Sequence, residues 1–63
     1  MGGEAEGEEQ RKFNRMIAEE LQALSRKLKE KAAELEKRGE YEKAVYAHFL
    51  AGYLEGAADM LME

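Results

Sequence analysis

The residues best suited to chemistry in this chain are His48, Glu55 and Asp59, at spacings of seven and four. On a helix these spacings bring all three onto one face. Meeting its mate in a symmetric assembly, such a face could build a carboxylate–histidine metal site, as some helical bundles do. The Glu-x-x-His spacing diagnostic of those sites is absent. A solvated polar arc is the simpler reading, so no metal and no cofactor are expected. General acid–base work by His48 would need an oriented partner and a pocket. Ser25 is the sole hydroxyl residue besides the tyrosines, and no nucleophile motif accompanies it. The chain is therefore read as non-catalytic.

A second chemistry to weigh is phosphate binding. Arg11, Lys12, Arg15, Arg26, Lys27, Lys29 and Lys31 concentrate base in one stretch, and Arg15, Arg26 and Lys37 recur every eleven residues. Glu19 and Glu30 interleave with them, favouring ion pairs within the helix, and no aromatic residues interleave to stack on bases. Charge is uneven. Residues 1–10 hold four Glu and no base, Arg11–Lys43 hold all ten Lys and Arg against seven Glu, and 44–63 add Glu55, Asp59 and Glu63. The net charge of −4 is unlike a strongly basic nucleic-acid footprint. A regulatory protein touching nucleic acid through this stretch is the alternative reading.

The elements that must carry these residues are helices. Proline is absent, and Ala, Leu, Glu, Lys, Arg, Gln and Met dominate. With 38% charged and 44% hydrophobic residues, the chain is too apolar for a disordered segment and too charged for a membrane span. No leader-like pattern opens it, because residues 1–10 are acidic and Gly-rich. Cysteine is absent, consistent with a reducing, cytoplasmic setting.

Residues 1–7 are expected to be a disordered acidic, Gly-rich tail. A first helix is expected over 8–38. Its apolar positions Phe13, Ile17, Leu21, Leu24, Leu28, Ala32 and Leu35 are spaced 4, 4, 3, 4, 4, 3, an eleven-residue pattern giving one nearly straight stripe. Gly39 is the turn, suited to a left-handed C′ position. A second helix is expected over 40–62, antiparallel to the first across so short a connection.

On a helical wheel, Val45, Phe49, Tyr53 and Met60 share one apolar sector of the second helix. Tyr46, Leu50, Ala57 and Leu61 occupy the next, and Ala47, Leu54 and Ala58 a third. This arc exceeds half the circumference, more than the roughly 100° stripe that one neighbour covers. The first helix is also the longer, so Phe13 and its neighbours should overhang. The fold class is thus all-α: a two-helix antiparallel hairpin that self-associates into a four-helix bundle. A homodimer is the simplest assembly, with a tetramer or a protein partner as further options, and no membrane is involved. The expected interface residues are Phe13, Ile17, Tyr46, Leu50, Tyr53, Leu54, Ala57 and Leu61. Gly52 and Gly56, with the small residues Ala44, Ala47, Ala51 and Ala58, are expected to allow close packing.

Gly39-Glu40-Tyr41-Glu42-Lys43-Ala44 followed by Ala51, with Leu28, Ala32 and Leu35 before them, resembles the second half of a tetratricopeptide repeat over residues 28–53. The chain departs from that pattern at Lys31 and His48, and no proline closes the unit. The same turn resembles the hairpins of microtubule-interacting-and-transport domains. Either resemblance implies a protein–protein interaction module; the surplus apolar face and the lack of reactive groups point to a small adaptor, accessory subunit or regulator.

Overall fold

The computed structural model describes residues 2–63, with side chains from Gly7 onward. Helix α1 runs Gly2–Lys37 and α2 runs Tyr41–Met62. They pack antiparallel as a rod measuring 58 × 13 × 10 Å. The radius of gyration is 15.9 Å, against about 11 Å for a compact domain of this length. Two layers of one helix each have no third element to round them off.

The connection is a Schellman turn. Gly39 sits at φ +79°, the left-handed conformation that a side chain disfavours. The Glu40 N–H donates to Leu35 O at 2.9 Å and the Gly39 N–H to Glu36 O at 3.0 Å. These bonds satisfy carbonyls that the end of α1 would otherwise leave open. Glu40, the N-cap residue before α2, makes no side-chain cap hydrogen bond, and its carboxylate instead pairs with Lys43 Nζ at 2.8 Å.

α1 begins at Gly2 rather than near Glu8, so residues 2–7, expected as a tail, continue the helix; Met1 lies outside the described residues. Once a helix is nucleated, extension costs little, and Glu4, Ala5 and Glu6 are acceptable helix residues beside the unfavourable glycines.

The seam between the helices is made of small residues. Among the described residues, Ala18, Ser25 and Ala32 on α1, and Ala44, Ala47, Ala51 and Ala58 on α2, are the buried positions. Ala18-Ser25-Ala32 and Ala44-Ala51-Ala58 both repeat every seven residues, the period that holds one line of contact toward a partner. The Ser25 hydroxyl lies 3.0 Å from Ala51 O and sets the register. At seven-residue steps from that contact, Ala32 comes level with Ala44 and Ala18 with Ala58. Leu35 packs against the cluster of Ala32, Ala44 and Ala47.

This corrects the expected first-helix stripe. Of its seven positions only Ala32 is buried; Ile17, Leu21, Leu28 and Leu35 are half-buried, and Phe13 and Leu24 are exposed. Small side chains let two axes approach toward the ~8 Å end of the helix-packing range. The leucines then flank the contact instead of filling it. The overhang of α1 is present. In this register Met62 lies level with about Asn14, so Phe13 and the turns before it have no α2 residue opposite.

Two substitutions test the seam and the turn. Nothing crowds a Cβ at Gly39, so Gly39→Ala isolates the backbone cost, expected to be ~1–2 kcal/mol in a urea melt. Ser25→Ala should cost ~0.5–1.5 kcal/mol through the lost hydrogen bond. Ser25→Leu should cost more, because it forces the axes apart; equal effects of the two would rule out a tightly closed seam.

Candidate interaction surface

Three longitudinal strips flank or oppose the seam, and each follows from residue spacing at about 100° per residue. Their positions are measured from the seam lines Ala18-Ser25-Ala32 and Ala44-Ala51-Ala58.

The first strip is polar. Lys29 and Glu36 on α1, and His48 and Glu55 on α2, each stand seven residues apart on the same side of the hairpin. Lys29 Nζ forms an ion pair with Glu55 Oε1 across the helices. Glu36 Oε1 lies 3.0 Å from His48 Nε2. The buried Ser25 hydroxyl also lies 3.1 Å from Glu55 Oε1, so its single proton serves two acceptors. The Lys29 ammonium and then the Ser25 hydroxyl hold the Glu55 carboxyl below its ordinary value. Asp59, exposed, borders a shallow cleft with Gln22, Arg26 and Glu55.

The trio of His48, Glu55 and Asp59 does share one face, as the spacing predicts. The partners of His48 and Glu55 come from α1. Among the described residues no group of three His, Asp or Glu side chains is placed to hold a metal ion. The basic stretch is exposed along α1, with Lys29 engaged by Glu55 and with Arg11, Lys12 and Arg15 sharing their surface with Glu8.

The second strip is apolar and lies on the opposite flank. Leu21, Leu28, Ile17, Leu35 and Leu24 stand about 40–100° from the α1 seam, and Leu54, Leu61 and Leu50 about 60–100° from the α2 seam. All except the exposed Leu24 are half-buried, as is Ala57 at the edge of this strip. One apolar side of each leucine meets the neighbouring helix and the other meets water.

The third strip is the back of α2. Phe49, Tyr53 and Met60 lie within about 20° of the direction opposite the seam, with Val45 and Tyr46 to either side. Their exposures are 69%, 70% and 75% for the first three, and 67% and 65% for the pair beside them. An aromatic side chain carries ~150–250 Å², so Tyr46, Phe49 and Tyr53 alone expose roughly 300–500 Å². That already matches the largest apolar patch of an ordinary monomer, about 300–600 Å². Gly52 and Gly56 also lie on this side. A Cβ at either would meet nothing within 4 Å, so their smallness is not used within the hairpin. With Tyr53, Ala57 and Met60 they line a shallow groove.

The expected interface residues thus separate. Ile17, Leu50, Leu54, Ala57 and Leu61 belong to the leucine flank, Tyr53 to the back of α2, Tyr46 between the two, and Phe13 to the overhang. Val45, Phe49 and Met60 were grouped by the wheel but left out of that set. Ser25 and the cross-helix pairs were missed entirely. Their signal was the seven-residue spacing of 18-25-32, 29-36 and 48-55.

No family model matches the chain, nor does any curated protein or solved structure. What the chain has in common with the tetratricopeptide unit is a two-helix hairpin turned at a glycine. No helix among the described residues is long and apolar enough to cross a membrane.

The polar strip makes a pH prediction. Because the folded Glu55 carboxyl titrates below its ordinary value near 4.5, its contribution is fully present above that value. It is lost as pH falls through the lowered folded value. Thermal melts should show stability declining on acidification below about pH 4.5, with a smaller decline in Lys29→Met. An identical pH profile in that variant would show that the pair does not hold the carboxyl.

Proposed function

We propose that this chain is a non-catalytic, homo-oligomeric protein–protein interaction and assembly module, an adaptor, accessory subunit or regulator that is completed by a second copy. The observation that carries this is the core itself: the largest fully buried side chain among the described residues is Ser25. A buried methyl contributes only ~0.8 kcal/mol, and ordering one residue's backbone costs ~1–2 kcal/mol. A seam of alanines is a thin basis for an independent fold.

The leucine flank supports a particular completion. It runs along both helices on one side, so a second hairpin laid against it faces four helices inward and forms a bundle. Fully burying a leucine is worth ~1.5–3 kcal/mol. Seven side chains, Ile17, Leu21, Leu28, Leu35, Leu50, Leu54 and Leu61, are mostly but not fully covered. Covering the rest would add roughly half a kcal/mol each, roughly a few kcal/mol in total, which matters against a marginal stability of ~5–15 kcal/mol.

Light scattering should therefore give a mass that is a multiple of the 7.2 kDa chain, with a melting temperature that rises with protein concentration. Leu24→Glu with Leu50→Glu should lower both mass and melting temperature. A fully helical species of single-chain mass at all concentrations would overturn the proposal.

A further inference from the structure

The leucine flank and the back of α2 point about 100° apart on that helix. A single neighbour covers a stripe of roughly 100°, so a copy seated on the flank leaves Phe49, Tyr53 and Met60 in water. We infer that the back of α2 is a second, separate interface, and that its occupant is another copy of this chain, docked through the same face of its own α2 and antiparallel to it. The inference builds on the assembly reading above but uses a different surface.

Self-complementarity argues for this occupant. A two-fold contact brings one patch against itself, so the patch must carry both projections and recesses. This one does. Gly52 and Gly56 form the recess, open on the outer side, and Phe49, Tyr53 and Met60 project beside it. Antiparallel pairing with Gly52 level with Gly56 of the other copy brings Phe49 level with about Met60 of that copy. An aromatic–thioether contact of that kind is favourable. Parallel pairing would instead set Phe49 against Phe49 and Met60 against Met60, projection on projection.

Charge and area agree with the same geometry. Val45, Phe49, Tyr53, Gly56 and Met60 carry no charge, so the surface covering them must be uncharged too, as an identical face is; the exposed Asp59 borders the Gly52 edge of this face and stays at the rim. Glu42 shares the face but, in this register, extends past the end of the other copy's α2 and stays in water. The antiparallel arrangement sets the positive N-terminal end of each α2 beside the negative C-terminal end of the other. Val45, Phe49, Tyr53 and Met60 offer roughly 500 Å² per copy. A pair buries about 1,000 Å², the area at which a specific interface becomes credible.

Two independent two-fold interfaces on one chain generate a closed tetramer when their axes cross at right angles, and an open array otherwise. The test is sedimentation of the full chain beside Phe49→Glu/Tyr53→Glu and Leu24→Glu/Leu50→Glu, with helicity followed by circular dichroism. Both back-face positions are well exposed, so the first pair should leave the hairpin folded. The wild type should contain at least four chains, and the back-face variant should fall to two with helicity retained. Gly52→Leu, which fills the recess without adding charge, should cause the same loss. A wild type of two chains that only the flank variant splits would overturn the second interface and leave the bundle reading standing. A wild type of two chains that only the back-face variants split would retain this interface and remove the bundle. A mass unchanged by all three back-face substitutions, with helicity intact, also overturns the inference.

Discussion

Everything in this molecule depends on two helix axes being close, and small residues are what allow it. Alanine and serine at seven-residue steps remove the bulk that would otherwise hold the helices apart. Ser25 adds the one directional element to the seam, a hydroxyl beside Ala51 O that specifies the register. Gly39 sets the same register from the other end by reversing the chain with the carbonyls of Leu35 and Glu36 satisfied. The hairpin is therefore determined twice, locally by the turn and over distance by the seam.

The closeness has a consequence for every larger side chain. When alanine occupies the line of contact, leucine and aromatic residues are displaced to the sides or to the back. The polar side closes over itself, with Lys29 reaching Glu55 and Glu36 reaching His48. The apolar sides have no such recourse, since a methyl group has no partner to reach for across a gap. The same packing that makes the hairpin specific leaves two apolar strips uncovered, and these are the surfaces on which the proposed assembly rests.

In the proposed assembly the polar strip would orient the copies more than drive their association. Exposed ion pairs contribute little to stability. However, a charged flank is costly to bury without partners, so it would keep a second copy off that side. His48, Glu55 and Asp59, which invite a metal-site or catalytic reading, are arranged here as one edge of a helix–helix contact.

The sequence alone settled the all-helical class, the two elements, the reversal at Gly39 and the excess of apolar circumference on α2. All of these are local: they depend on propensity, on a glycine after the last periodic residue, and on spacing within one helix. It did not show which line of α1 faces α2, because Phe13, Ile17 and the leucines form the most conspicuous stripe, whereas the contact is made by small residues. Only the packed pair shows that Ala18, Ser25 and Ala32 form the contact. That choice compares the approach distance of two helices, and neither strand of the pattern carries this quantity separately. The partners of His48 and Glu55, and the separation of the apolar surplus into a flank and a back, follow from the same choice of contact line.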